Sequence, residues 1–536
     1  MNKEEFSCKL QVFMIYLLTI KLAEKEGVFM RFAEMVHSKT KDYLSNVSKA
    51  ERKAIGQFFT PFSIAEYMGT LTRFHGETVR ILDPGAGCGI LTASIVDSLV
   101  LKGIKNFEID LYENNLSVIP LLVSNMRFIQ ETLFCSGVIF NYQIIEKNFI
   151  TENHFVWTGL LPSEKYDIVI SNPPYKKIGK DSIEAEVMFD IVYGQPNLYF
   201  LFMAMGAKLL KENGEFIYIV PRSFSSGLYF SAFRKWFLSE MQIANLHLFV
   251  SREAVAGKHD SVLQETVILK AIKTYEKQSK IEITESIDSF CKDTINKYFV
   301  DYQVCVRNDE NAFLYFPTSE KDAQILDFVN SWTATLPKLG FRMKTGQLVD
   351  FREREWMCET PDSNTVPLLW AFNFNGTKIQ FPMQVSGKPQ YLKDDLSTKR
   401  LQMNRGNYLL LKRFTSKEEK RRLQCALLFD DDFSEFHSFS TENHLNYISK
   451  VTGTMQHEEM YGLFVLLNSS YLDKYFRILN GSTQVNANEI NSIPFPQIEF
   501  IREMGWRAMQ YGNIDESICD EIIEEQLAPK QISRTI

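Results

Sequence analysis

Between about Gly56 and Ile272 the chain alternates short apolar runs with longer amphipathic stretches, and no other feature constrains its fold as tightly. The segments "VRILDPGAG", "FEIDLYENN", "YDIVISNPP", "GEFIYIVP" and "ETVILKA" have the length and composition of buried strands. Between them, "LTASIVDSLVLKG", "PNLYFLFMAMGAKLLKENG" and "GLYFSAFRKWFLSE" read as helices, and Gly103 and Gly214 stand where C-terminal caps would. This alternation predicts an α/β fold with a mostly parallel, doubly wound sheet. Apolar and charged positions before Ala50 have helical spacing. After Thr274 charge rises, Asn and Ser cluster, and the alternation stops. The expected organisation is an N-terminal helical segment over 1–50, an α/β domain over 51–274 and a second domain over 275–536.

Eight cysteines are scattered without CxxC spacing, and eight histidines are equally dispersed. This pattern suits reduced, mostly buried thiols in a cytoplasmic protein and argues against a metal site. The apolar stretch Leu10 to Ile20 is too short to span a bilayer and follows Glu4 and Glu5, so a buried helix is expected and no membrane partner. A net charge of −7 argues against nucleic-acid binding only on average. Leu396 to Leu423 holds nine Lys or Arg against two Glu, while "NIDESICDEIIEEQ" near the C-terminus is acidic.

The first candidate ligand site is "ILDPGAGCGILTASIV". A strand ends at Asp83, turns through Gly85, Gly87 and Gly89, and enters a helix. Glycines allow close backbone approach to a ligand. The opening carboxylate is unlike a phosphate cradle, and no P-loop Lys-Ser/Thr follows. It suits an amine-bearing ligand instead. Glu113 ends the second strand at a distance appropriate for gripping ribose hydroxyls. Asn148 and Phe149 end a third strand, where an amide beside a ring could recognise and stack an adenine. Each feature alone is common in proteins without such a ligand. Their order and spacing describe an adenosine site without a polyphosphate, and S-adenosylmethionine fits it.

A fourth strand ends on "SNPPY". An exocyclic amine on a nucleobase is a poor nucleophile because its lone pair is delocalised into the ring. Two acceptors aimed at its hydrogens would draw the nitrogen toward tetrahedral geometry. The Asn172 side-chain oxygen and the Pro173 carbonyl could serve. Pro173 and Pro174 stiffen the turn, and Tyr175 could stack on the base.

These residues resemble the gamma-class adenine-N6 DNA methyltransferases of prokaryotic restriction–modification systems. The resemblance runs from about Gly56 to Pro496. "GQFFTP" is similar to the motif that holds the methionine part of the cofactor, which carries Thr60 and Pro61 into the site. "DPGAGCG" resembles the cofactor loop, Glu113 the ribose-binding acid and "NPPY" the catalytic turn. "KTGQLVDFRERE" and "GLFVLLNSSYLDKYFRILNGSTQVNANEINSIPFP" resemble later signatures of one large subgroup. The resemblance implies a doubly wound Rossmann-like class I methyltransferase sheet followed by an α+β target-recognition domain. Asn148 stands where the family usually has Asp. An aromatic that would cover the second face of the base is missing near Ala256 or Gly257; either His259 or Phe249 substitutes, or the base is stacked on one side only.

The same resemblance makes the C-terminal half the reader of double-stranded DNA. Lys399, Arg400, Arg405, Lys412 and Arg413 flank Tyr408 and Phe414, a combination suited to phosphates. Lys176 and Lys177 could contact the extruded strand. "SKEEKRRL" alone reads as an exposed helix face, and the amides of Asn480 to Ser492 suit base edges or ordinary turns equally. No endonuclease carboxylate cluster is evident, so cleavage would fall to a separately encoded restriction endonuclease. NPPY also occurs in methyltransferases of RNA bases and of protein glutamine, whose amide nitrogen is similar. A catalytically silent binding module is a further alternative. The length of the C-terminal region favours DNA.

Overall fold

A computed structural model describes residues 31–45, 59–162, 165–249, 266–286, 296–307, 311–383, 385–416, 419–481 and 483–527. The stretch Leu10 to Ile20, Gly56 to Phe58, Ala256, Gly257, His259, Cys8 and Cys291 lie outside them. The chain divides into two units. One runs to Phe224 and resumes over Tyr229–Tyr302; the other comprises Ser225–Leu228 and Gln303 onward.

The first unit is built on one nine-stranded sheet. Its strands are β1 (Thr78–Pro84), β2 (Asn106–Tyr112), β3 (Ile139–Ile145), β4 (Tyr166–Ser171), β5 (Leu210–Pro221), β6 (Gln242–Phe249), β7 (Thr266–Ile272), β8 (Lys280–Ser286) and β9 (Asn296–Asp301). They lie in the order β3-β2-β1-β4-β5-β7-β6-β8-β9. β1 to β5 are parallel, and β7 enters antiparallel between β5 and β6. Val79, Ile81, Phe107, Ile109, Ile168 and Ile170 are buried, as a sheet covered on both faces requires. β8 and β9 follow the change of rhythm at Thr274 and still hydrogen-bond into this sheet.

Five helices cover the β1 side of the sheet or begin at its carboxyl edge. These are α1 (Phe32–Ser45), α2 (Phe62–Thr70), α3 (Ile90–Leu101), α4 (Ile119–Cys135) and the single turn α5 (Phe149–Glu152). α1 is pinned at its start, where the Asp97 carboxylate accepts from the Phe32 and Ala33 amides at 2.9 and 3.0 Å. Beyond β4 come α6 (Ile183–Val187), α7 (Leu198–Leu209) and α8 (Ser231–Glu240). Gly103 follows α3 with φ +86°, as expected of a cap. Gly214 differs from expectation. α7 stops at Leu209, and Gly214 lies inside β5. Strand pairing overrides the helical character of "KLLKEN": Leu210 pairs with Tyr166, Asn213 takes φ +63°, and its N–H donates to the Lys273 carbonyl at 2.7 Å.

The order of strands reverses between β1 and β4, leaving a crevice at their carboxyl ends. Ile81 pairs with Ile168 and Leu82 with Val169, and the same register brings Gly85, just past the end of β1, level with Asn172. The Ser171 hydroxyl closes the seam by donating to the Pro84 carbonyl at 2.5 Å.

The second unit is α+β. A six-stranded sheet joins β10 (Phe341–Thr345), β20 (Leu445–Lys450), β17 (Tyr408–Lys412), β18 (Cys425–Leu428), β14 (Lys378–Ile379) and β13 (Phe374–Asn375). A five-stranded sheet joins β11 (Met357–Cys358), β15 (Tyr391–Lys393), β12 (Thr365–Leu369), β19 (Ser438–Thr441) and β16 (Gln402–Asn404). β17 serves two cores by its twofold period: Leu409 and Leu411 join the helical core, and Leu410 joins Phe439 and Leu369. Cys88, Cys305, Cys425 and Cys519 are buried free thiols, and Cys135 is exposed. No helix among the described residues is long and apolar enough to cross a membrane.

Candidate active site

At the crevice lies a cavity of about 280 Å³. Of the residues expected from sequence, Thr60, Gly85, Gly87, Glu113, Asn148, Phe149, Asn172, Pro173, Pro174 and Lys176 line it. Pro61, Asp83, Gly89, Tyr175 and Lys177 stand behind or beside that lining.

The glycine turn takes its shape from β2. The Gly85 and Ala86 amides donate to the Tyr112 carbonyl at 2.9 and 2.8 Å. Gly87 has φ +55°, and its amide donates to Glu113 Oε2 at 2.8 Å. Gly89 starts α3 with φ +82°; a Cβ there would sit 2.6 Å from the Met126 methyl. Asp83 is 1% exposed. Thr92 donates to its Oδ2 at 2.7 Å, while Oδ1 has no hydrogen-bond partner among the described residues. Burial pushes its carboxyl up to about 7, with the Thr92 bond opposing and the Glu113 charge adding. Burial also raises Glu113, against the pull of the Asn115 and Gly87 amides.

Phe149 is buried, edge-on to Tyr112 with ring centres 5.0 Å apart and 5.2 Å from Phe202. Asn148 caps α5: its oxygen accepts from the Ile150 and Thr151 amides at 3.0 and 3.2 Å. Its Nδ2 donates to Glu184 Oε1 at 2.8 Å. Asn172 is braced from two sides. Its Nδ2 donates to Thr60 Oγ1 at 3.0 Å, and the Tyr175 hydroxyl lies 2.9 Å from its Oδ1 and 3.0 Å from the Ile219 carbonyl. Burial holds the Tyr175 hydroxyl far above its ordinary range, so it stays a donor. Lys176 and Lys177 are exposed on a loop fixed by backbone bonds from Leu198 to Lys176 and from Ile178 to Pro196.

Sequence reasoning missed Phe59, Tyr112, Asn115, Lys147, Glu184, Leu198 and Phe202, which also line the cavity. Leu198 and Phe202 carried a readable signal, because an i, i+4 pair shares one helix face. Glu184 carried none.

In the second unit the basic stretch is largely paired. Lys399 meets Asp394 at 2.5 Å, Arg400 meets Glu353 at 2.8 Å and Arg405 meets Asp430 at 3.0 Å. Arg413 is half-buried and donates to the Asn443 carbonyl at 3.0 Å. Lys412 lies 5.5 Å from the Phe374 ring centre and has no ion pair among the described residues. The described residues of "SKEEKRRL", Ser416 and Glu419 to Leu423, form no helix. Arg422 is fully buried, and Arg421 meets Glu516 at 2.6 Å. The amide-rich segment is engaged in structure: Asn480 Nδ2 donates to Glu489, itself buried, and Asn491 bonds the Met343 backbone through both its oxygen and its nitrogen.

The sheet order, the glycine turn ending β1 and the acid ending β2 are those of the class I methyltransferase fold. A family model described as Eco57I restriction-modification methylase matches residues 92–255. The type II methyltransferase M.PstI of Providencia stuartii is 32% identical over 90% of this chain and 95% of its own length. M.BsuBI of Bacillus subtilis, also a type II methyltransferase, is 34% identical over 89% of this chain and 94% of its own. Among solved structures, the type IIL restriction-modification enzyme MmeI in complex with DNA shares the fold. Its TM-score is 0.52 at 12% identity, over 95% of this chain and 75% of that one. The chain belongs to the type II DNA methyltransferases of restriction–modification systems. Relatives matching over nearly its whole length do not favour an RNA base or a protein glutamine as substrate.

Proposed function

We propose that this methyltransferase moves a methyl group from S-adenosylmethionine to the N6 amine of an adenine flipped out of double-stranded DNA. The observation that carries the reading is Asn172, an amide held in a fixed plane by Thr60 and Tyr175 at the rim of a cavity suited to an adenosyl cofactor. That cavity offers Glu113 for ribose hydroxyls, Phe149 and Phe202 as apolar walls for a purine, and glycines that admit close approach. The unpartnered oxygen of buried Asp83 suits the cofactor's amino end, directly or through water. When bound, this cofactor supplies a methyl group already activated on a sulfonium.

The chain's own residues then prepare the nucleophile. Asn172 Oδ1 and the Pro173 carbonyl accept from the amine's two hydrogens and localise its lone pair. The two prolines keep both acceptors in place before the base arrives. Tyr175 provides a ring beneath the base, and its hydroxyl adds a second role as a brace for Asn172. The expected catalytic domain over 51–274 is extended by β8 and β9, which pair into its sheet, and is assigned to cofactor binding and catalysis; the residues from Gln303 onward are assigned to target recognition. Lys176, Lys177, Arg405, Lys412 and Arg413 are assigned to DNA phosphates. The enzyme acts in the cytoplasm and protects sites from a separately encoded endonuclease.

The test is incubation of the full chain with methyl-labelled cofactor and plasmid, followed by digestion to nucleosides and sequencing for modified bases. Label in N6-methyladenine at one recurring sequence is expected. Label in cytosine, or in protein alone, would overturn the assignment.

A further inference from the structure

We propose that Glu184, rather than Asn148, accepts the hydrogen bond from the exocyclic amine of the cofactor's adenine; this rests on the reading of S-adenosylmethionine as methyl donor. Asn148 occupies the strand-end position from which a side chain could read that amine. Its oxygen is already engaged. An amide oxygen has two lone pairs, and the Ile150 and Thr151 amides take both. Releasing them would uncap α5, whose second residue, Ile150, is fully buried. What Asn148 offers outward is an N–H, and that N–H donates to Glu184 Oε1 at 2.8 Å.

Glu184 lines the same cavity as Asn148, Phe149 and Phe202. Its second oxygen has no hydrogen-bond partner among the described residues. Glu113 is the other carboxylate of the lining, and it is assigned to the ribose hydroxyls at the end of β2. The geometry therefore divides one task between two residues. Asn148 orients, and Glu184 accepts. A carboxylate accepts from an amine more strongly than a neutral amide does. Asn at 148 is also the residue that lets an acid approach so closely, since a second carboxylate there would repel the first.

The experiment measures calorimetric affinity of the full chain for S-adenosylhomocysteine and for its 6-deamino analogue, which carries purine in place of adenine. Wild type is expected to prefer the adenine compound by about tenfold or more. Glu184→Ala should erase the preference while binding the deamino compound as wild type does, which also reports intact folding. Glu184→Gln should lose most of the preference, because its one oxygen can serve Asn148 or the adenine amine while its NH2 faces the other donor. A preference that survives Glu184→Ala, or an equal loss for both compounds, would overturn the assignment to Glu184. Wild type binding both compounds alike would overturn it too, while leaving the donor reading intact. Wild type binding neither would overturn the donor reading and this inference with it.

Discussion

Asp83 is buried at the end of β1 with one oxygen bonded and the other without a partner, and its carboxyl is pushed up to about 7. An unfolded Asp ionises near about 3.9. The native chain thus binds this proton more tightly than the unfolded chain, and the stability Asp83 contributes when protonated is lost as pH rises through that window. Asp83→Asn removes the titration. Without ligand, the variant should be more stable than wild type at about pH 8, by up to a few kcal/mol, with the gap closing toward about pH 4. Denaturant titrations at several pH values check this, and parallel profiles for the two proteins would contradict it. At this scale the motifs were readable because their spacing carries the chemistry. Glu113 and the Asn172 turn line one cavity. What could not be read was which atom of a side chain is engaged. Asn148 in a sequence is both donor and acceptor, and only its bonds to Ile150, Thr151 and Glu184 separate the two.

Among the elements, β17 carries the clearest electrostatic asymmetry. Arg405 just before it is paired with Asp430, and Arg413 just after it bonds the Asn443 carbonyl, whereas Lys412 has no ion pair among the described residues. Lys412→Ala should weaken DNA binding alike at cognate and unrelated sequences and reduce the salt slope by about 0.9. Arg405→Ala should change both less, because its charge is already compensated. Fluorescence anisotropy at several salt concentrations measures this. A Lys412 loss confined to the cognate sequence would indicate base readout instead. Element type followed from apolar runs for β1, β2, β4, β5 and β7, since strands in a sheet covered on both faces are largely apolar. The end of α7 and the fate of "SKEEKRRL" did not follow. Leu210 is drawn into β5 by Tyr166, and Asp473 Oδ1 holds the Arg422 and Leu423 amides from fifty and more residues away, at 2.7 and 2.8 Å. Contacts of such sequence separation leave no local signal.

For the whole molecule, the net charge of −7 belongs to no single surface. The acidic C-terminal helix α9 (Glu516–Leu527) supplies Glu516 to Arg421, so part of the basic stretch and part of the acidic tail neutralise one another within the second unit. Average charge was therefore a poor guide to a DNA partner, and the match of the whole chain to type II methyltransferases is the better one. The claim on which the functional reading turns is that the amide ending β4 activates the substrate amine, beyond any contact it makes to the cofactor. The most direct measurement is single-turnover methyl transfer to a cognate duplex by Asn172→Ala, with cofactor affinity determined on the same preparation by calorimetry. Transfer should fall by about a hundredfold to a thousandfold, with cofactor affinity within a few-fold of wild type. Transfer near the wild-type rate, or a loss explained entirely by failure to bind the cofactor, would contradict it.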